Sequence, residues 1–361
     1  MSFTRCNSGL ARTSCAVLLV LWFASLAAGA TGPEPRPALR AEVEVFIAEM
    51  AAKHGFNAAR LRALLAKARP LPAIVKAMSA PATARPWHEY SIPYLSPARI
   101  EGGVRFWEEN AAALARARAR YDVPEELIVA TIGVETIYGR LTGTHRVLDV
   151  LATLAFDYPP RASYFRGELE QFLLLARQGR LDPEQTRGSY AGAMGIPQFM
   201  PSTYERYAVD FDGDGKITLW AGAADAIGSV AHYYQTFGWQ PRRPVVVAAS
   251  VTGDGYRSLM EKGLRPQTPA AQLREAGITA LGELADEEPV SLFALETADG
   301  PRYWLALKNF YVITRYNRSV NYAMSVYLLG REIRARREGT AAARAPESVR
   351  PAATEGAPGA P

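Results

Sequence analysis

Cysteine is almost missing from this chain: there are two in 361 residues, Cys6 and Cys15, and both precede an apolar run near the N-terminus. If that segment is removed, the mature chain carries no thiol, which excludes a disulfide framework and cysteine chemistry. Histidine is nearly as scarce. His54, His88, His145 and His232 are the whole set, and none stands at metal-ligand spacing from another. There is no HExxH helix, no GxSxG elbow and no phosphate-loop lysine, so these routes to zinc, serine or nucleotide chemistry are closed. Strong charge of one sign is missing too. Removing Arg5 and Arg12 with the N-terminal segment lowers the formal charge from +5 to +3, too mild and mixed for a nucleic-acid partner. The apolar run Ala16 to Leu26 is shorter than an ordinary membrane span.

What is present begins with export. Arg5 and Arg12, the apolar run and Ala28-Gly29-Ala30 read as a secretory signal over residues 1–30, with a signal anchor as the alternative. No lipoprotein cysteine follows the run, so the expectation is a soluble periplasmic protein with no transmembrane anchor after cleavage. At 48% hydrophobic, with 29 Gly and 25 Pro, the remainder is a globular chain with many turns, long enough for two domains or one with subdomains.

After a Pro-rich lead-in, residues 41–68 read as two helices broken at Gly55-Phe56-Asn57. Residues 70–86 read as a Pro/Ala connector. Trp87, Tyr90 and Tyr94 precede a helix that carries Trp107 and continues to about Arg120; such aromatics serve as core, as sugar platforms, or both. Helices are expected over 147–156, 164–178 and 224–237. The pattern then changes: 244–250, 290–296 and 302–307 read as strands, the last two joined as a hairpin through Ala298-Asp299-Gly300. The architecture expected is α+β, mainly α: a helical region over 31–238, a small β-rich subdomain over 239–308, a return over 309–334 in which Ser319 starts a last helix, and a disordered tail over 335–361.

The central stretch is DVPEELIVATIGVETIYG, Asp122 to Gly139. Asp122 suits an N-cap, Glu125 a capping box and Gly139 a stop. Glu135 follows Ile128 by seven residues, Thr131 by four and Ile132 by three, so it shares a face with apolar side chains. A carboxyl there loses hydration in its charged form, its pKa rises, and it becomes a candidate general acid. The alternative is a solvated carboxylate at a helix end.

Residues 188–201 read GSYAGAMGIPQFMP, where three glycines and two alanines in the first eight residues let backbone approach a ligand or another element closely. Ser189 and Gln198 supply polar groups in that setting. Farther on, DFDGDG, residues 210–215, places Asp210, Asp212 and Asp214 at EF-hand positions one, three and five and Gly215 at six, with the Lys216 carbonyl at seven. Position twelve is Ala221 rather than glutamate, and Asp225 is the nearest replacement. The alternatives are a structural cation, Ca²⁺ favoured by the all-oxygen donors, or a solvated acidic turn.

In this order IGVETIYGRLTG, FDYPPRASYF, GSYAGAMGIPQFMPSTY, DFDGDGKITLW and NFYVITRYN resemble the membrane-bound lytic murein transglycosylase B family, glycoside hydrolase family 103, from about Val43 to Gly330. The resemblance implies a lysozyme-like helical catalytic core with an appended β subdomain. It implies Glu135 as the single catalytic acid, Ser189, Gln198, Arg161, Tyr316 and Asn317 as substrate-binding residues, and Asp210, Asp212, Asp214, Lys216 and Asp225 around the 210–225 cation loop. Pro160 departs from a second arginine in a relative, and no peptidoglycan-binding module follows Gly330. Peptidoglycan strands are the implied partner, with room for other cell-wall enzymes, and no organic cofactor is implied. The implied reaction cleaves the β-1,4 bond between N-acetylmuramic acid and N-acetylglucosamine and closes a 1,6-anhydro ring. Its rivals are a hydrolytic muramidase with a second carboxylate, Asp157 or Glu168, and a non-catalytic glycan-binding scaffold.

Overall fold

The computed structural model describes residues 39–79 and 85–344; the signal segment and the end of the tail lie outside them. Helices α1 (Ala41–His54) and α2 (Ala58–Leu65) break where expected, and the Asn57 side chain caps α2 by accepting from the Arg60 N–H at 2.9 Å. The expected connector holds a further helix, α3 (Pro72–Ser79), packed on α8 (Val147–Asp157). A single turn, α4 (Trp87–Tyr90), follows. The helix expected through to Arg120 is two: α5 (Pro97–Glu109) and α6 (Ala111–Tyr121) meet at Asn110, whose side-chain amide donates to the Phe106 carbonyl at 2.8 Å.

Helix α7 (Glu125–Thr136) is the hub, packed against α5, α6, α11 (Ala224–Thr236) and α14 (Val320–Arg344). Every residue from Leu127 to Val134 is buried, as a helix apolar on all sides requires. Its ends differ from the sequence expectation. Asp122 closes α6 in the left-handed region at φ 54° instead of capping α7, and Glu125 accepts from the Trp107 indole N–H at 2.7 Å instead of completing a capping box. The stop is Ile137, at φ 52°, not Gly139. The cause is Tyr138, whose ring occupies a slot floored by glycines: a Cβ on Gly133 would lie 2.7 Å from that ring, and one on Gly103 2.7 Å from its hydroxyl. The hydroxyl donates to the Arg99 carbonyl at 2.7 Å. To reach the slot the chain leaves the helix two residues early.

Strands β1 (His145–Arg146) and β2 (Arg187–Gly188) form a small ladder, with α8, α9 (Ala162–Arg177) and α10 (Pro201–Tyr207) around it. The remaining strands are β3 (Val246–Val251), β4 (Thr268–Pro269), β5 (Ile278–Ala280), β6 (Pro289–Thr297) and β7 (Gly300–Ala306). They form an antiparallel sheet in the order β4-β6-β7-β3-β5, over a core that includes Leu259, Ile278, Leu292 and Leu305. A short helix α12 (Arg257–Glu261) packs on β6. The three expected strands and the hairpin are present; β4 and β5 are two and three residues long, too short for alternation to reveal. Helix α13 (Lys308–Tyr316) leads back to the helical body, its Phe310 stacked on Phe293 of β6 at 4.6 Å. The Ser319 hydroxyl caps α14 by accepting from the Tyr322 N–H at 3.3 Å, and that helix runs on to Arg344, beyond the point where disorder was expected. Among the described residues no helix is long and apolar enough to cross a membrane.

Candidate active site

Glu135 lies in the last turn of α7, with a partly accessible edge and a carboxyl enclosed by protein. Burial drives its pKa up to about 7, against the opposing effect of the Tyr322 hydroxyl, which donates to Oε1 at 2.6 Å. Tyr316 stacks parallel to Tyr322, centroids 6.4 Å apart, and donates to the Pro197 carbonyl at 2.6 Å. Tyr234 lies 5.8 Å from Tyr316, centroid to centroid, and its hydroxyl pairs with Thr131 Oγ1 at 2.8 Å. Tyr90 completes the group. Burial pushes all four phenols above their ordinary range, and repulsion from an ionised Glu135 adds to it. Neutral phenols bond or surround the acid without bringing a charge. An arginine in their place would pull the carboxyl down instead.

The loop around Ser189 and Gln198 is tied to the segment that follows α7. Thr136 Oγ1 donates to the Ile196 carbonyl at 2.9 Å, and Gln198 Nε2 donates to the carbonyls of Thr142 at 3.1 Å and Gly195 at 2.8 Å. At Gly143, φ 98°, a Cβ would lie 2.1 Å from the Gly188 carbonyl, so only glycine allows the two backbones to meet. The Ser189 oxygen accepts from the Ala193 N–H at 3.1 Å and the Ala191 N–H at 3.3 Å, which leaves its proton to donate. Through Pro197 and Tyr316 this loop joins the tyrosine cluster. Two predicted residues stand apart from that network. Arg161 is exposed on an aromatic ledge, 4.4 Å over the Tyr164 ring and 5.2 Å over Phe165, and Asn317 accepts from the Ser319 N–H at 3.1 Å, at the entry to α14.

Of the two carboxylates that could serve hydrolysis, Glu168 is committed: its oxygens accept from the Ser202 N–H at 2.9 Å and the Ser202 hydroxyl at 2.7 Å, at the start of α10. Asp157 closes α8. Neither appears among the groups that shift Glu135, whose pKa is set by burial and Tyr322.

The acidic loop has the geometry of a cation site. Carboxylate oxygens of Asp210, Asp212 and Asp214 lie within 4.8 Å of one another. Asp210 accepts from the Gly213 and Gly215 N–H groups at 2.7 and 2.8 Å, and Asp214 from Lys216 at 2.8 Å. Asp225 is outside that cluster. Its oxygens accept from the Phe211 and Thr218 N–H groups, both at 2.7 Å, so it clasps the loop shut, with lone pairs to spare. The loop braces the site as well, since the Ile196 N–H donates to the Leu219 carbonyl at 2.7 Å.

Tyr90, Tyr234 and Tyr322 were not assigned to the site from sequence. For Tyr90 the signal was the local density of aromatics with Trp87 and Tyr94; for Tyr234 and Tyr322 it was compositional, 17 tyrosines against 4 histidines.

Comparison with known proteins gives this geometry a family. Residues 38–331 match the transglycosylase SLT domain. The chain is 45% identical over 298 residues to membrane-bound lytic murein transglycosylase B of Escherichia coli K12, covering 80% of this chain and 81% of that protein. It superposes on the catenated lytic transglycosylase SltB1 of Pseudomonas aeruginosa with TM-score 0.79 and 47% identity, over 82% of this chain and 98% of that one. It also superposes on the E. coli lytic transglycosylase Slt35 in complex with calcium, with TM-score 0.74 and 43% identity, over 82% of this chain and 94% of that one. With a buried acid at the end of its central helix and a match across most of its length, the chain belongs to the lytic transglycosylases of the SLT domain family.

Proposed function

We propose that the protein cleaves the β-1,4 bond between N-acetylmuramic acid and N-acetylglucosamine in peptidoglycan and leaves 1,6-anhydromuramic acid ends, with Glu135 as the one acid and base. The observation that carries this reading is the enclosed carboxyl of Glu135, raised to about 7, with no second carboxylate among the described residues contributing to that shift. Protonated Glu135 gives its proton to the glycosidic oxygen as the bond to C1 breaks. The muramyl N-acetyl group stabilises C1 in place of the second carboxylate used by ordinary glycosidases. Glu135, now ionised and held by Tyr322, takes the proton of the C6 hydroxyl while that oxygen bonds to C1. Nothing is added from solvent, and the carboxyl ends protonated as it began. Ser189, Gln198, Arg161, Tyr316 and Asn317 contact the glycan in this reading.

The acidic loop holds Ca²⁺, through Asp210, Asp212, Asp214, the Lys216 carbonyl and the remaining lone pairs of Asp225. The calcium complex of the E. coli neighbour supports that choice. The protein works in the periplasm as a soluble enzyme, a placement supported by the sequence of residues 1–30.

Product analysis tests the activity. Purified peptidoglycan should release muropeptides one water lighter than muramidase products, with ends that resist borohydride. Fragments that take up the two reducing hydrogens would make water the nucleophile and overturn the reading.

A further inference from the structure

At the far end of α7 from Glu135, about 15 Å away along the helix at 1.5 Å per residue, the molecule has a cavity of about 730 Å³. Six arginines line it: Arg118, Arg242, Arg243, Arg331, Arg334 and Arg337. Arg243 is paired with Glu288, and Arg334 with Glu126 and Glu338. The other four have no carboxylate partner among the described residues; Arg337 lies over the Trp107 ring at 4.7 Å and Arg331 over Tyr327 at 5.8 Å. Four carboxylates line it as well: Glu126 and Glu338 are the partners of Arg334, Glu125 is bonded to Trp107, and Asp122 closes α6 at the rim.

An exposed arginine cluster is ordinarily a solvated face. Here two further observations concern donors that lack acceptors, and a third concerns the backbone. Trp239, which also lines the cavity, has a buried indole N–H with no partner. Helix α7 opens onto the cavity with no side-chain cap, so the N–H groups of its first turn meet no side-chain acceptor. Arg242 is held at φ 60°, a conformation costly for a side-chain residue and kept where it positions a group. Forked guanidiniums and a helix N-terminus together call for an acceptor with several planar anionic groups.

We propose that this cavity is a second, non-catalytic site that binds the carboxylates of a murein stem peptide. The ligand's identity rests on the activity proposed above; the cavity's size suits a peptide of a few residues. A strand held here by its peptides keeps the enzyme on the wall between cleavages at the Glu135 end.

The test is calorimetric binding of the free, sugar-less stem tetrapeptide to the full chain, wild type against Arg242→Gly with Arg331→Gln. Both arginines are exposed, and glycine suits φ 60°, so the variant should melt with the wild type. Saturable binding is expected, weakened roughly tenfold or more in the variant, reduced by salt, and lost when the peptide's carboxylates are amidated. Cleavage of peptide-free glycan should be unchanged in the variant. Absence of saturable binding, or binding indifferent to the substitutions, overturns the proposal. Equal affinity for an unrelated acidic peptide of the same length and charge overturns the assignment to murein. Binding is read without turnover, so its failure and a failure to form anhydro ends are separate results.

Discussion

Ionising Glu135 works against the folded state. Its pKa rises from 4.5 to about 7 on folding, so the folded protein holds the proton more tightly than the unfolded chain. The stabilisation is complete below the unfolded value and is lost as pH rises through the folded one, a difference of roughly 3 kcal/mol. Glu135→Gln, which cannot ionise, should therefore melt above the wild type at pH 8 and close to it at pH 4.5, while turnover disappears; melting curves at the two pH values check the first part and product release the second. Residual turnover in a pure preparation would remove Glu135 from the mechanism. Tyr322→Phe takes away the bond that favours the ionised form, so the pKa should climb further. Because the first step needs the protonated acid, the fall of rate with rising pH should move upward in that variant, visible in a kcat/KM profile. The burial of Glu135 could be read from its spacing to Thr131 and Ile132. Its tyrosine neighbours could not, because Tyr322 lies 187 residues away and no local pattern links the two.

The element that sets this geometry is the exit from α7. Ile137 at φ 52° and Tyr138 at φ 61° are consecutive left-handed residues, and the first is β-branched, where such a conformation is a real outlier. The wedge of Tyr138 into its glycine slot holds them there. Gly133→Ala would place a methyl 2.7 Å from the ring, which should destabilise by about 1–3 kcal/mol. The same change should lower kcat, because the turn carrying Thr136 and Thr142 anchors the loop of Gln198; denaturant unfolding and steady-state rates check the pair. Helix interiors were legible because their apolar periodicity is long. Helix ends were not: Asp122, Glu125 and Gly139 have the right chemistry for caps, but Trp107 and the tyrosine slot, fixed by other helices, claimed those positions for other tasks. Glycines 102 and 103 make sense only once Tyr138 is seen to arrive from elsewhere in the chain.

Across the whole molecule, the acidic loop ties the last helices to the site. Asp225 begins α11, the loop's Leu219 carbonyl holds Ile196, and Phe211 packs against Tyr121 at 6.1 Å. Calcium that binds only the native chain should stabilise it by about 2.7 kcal/mol at a hundredfold excess over Kd, seen as a higher Tm that Asp210→Ala with Asp214→Ala erases. A Tm indifferent to calcium and chelator in metal-free protein would leave an acidic turn. The carboxylate spacing of this loop was plain in the sequence; the clasp formed by Asp225 was not, since its partners are backbone N–H groups seven to fourteen residues away. A last consequence follows from where Tyr322 sits. Helix α14 is the final described element, yet it lies along α7 and supplies, among the described residues, the side-chain donor to Glu135. As the ribosome emits the polypeptide, the acid appears long before its partner, and a nascent or truncated molecule lacking that helix has no finished catalytic centre.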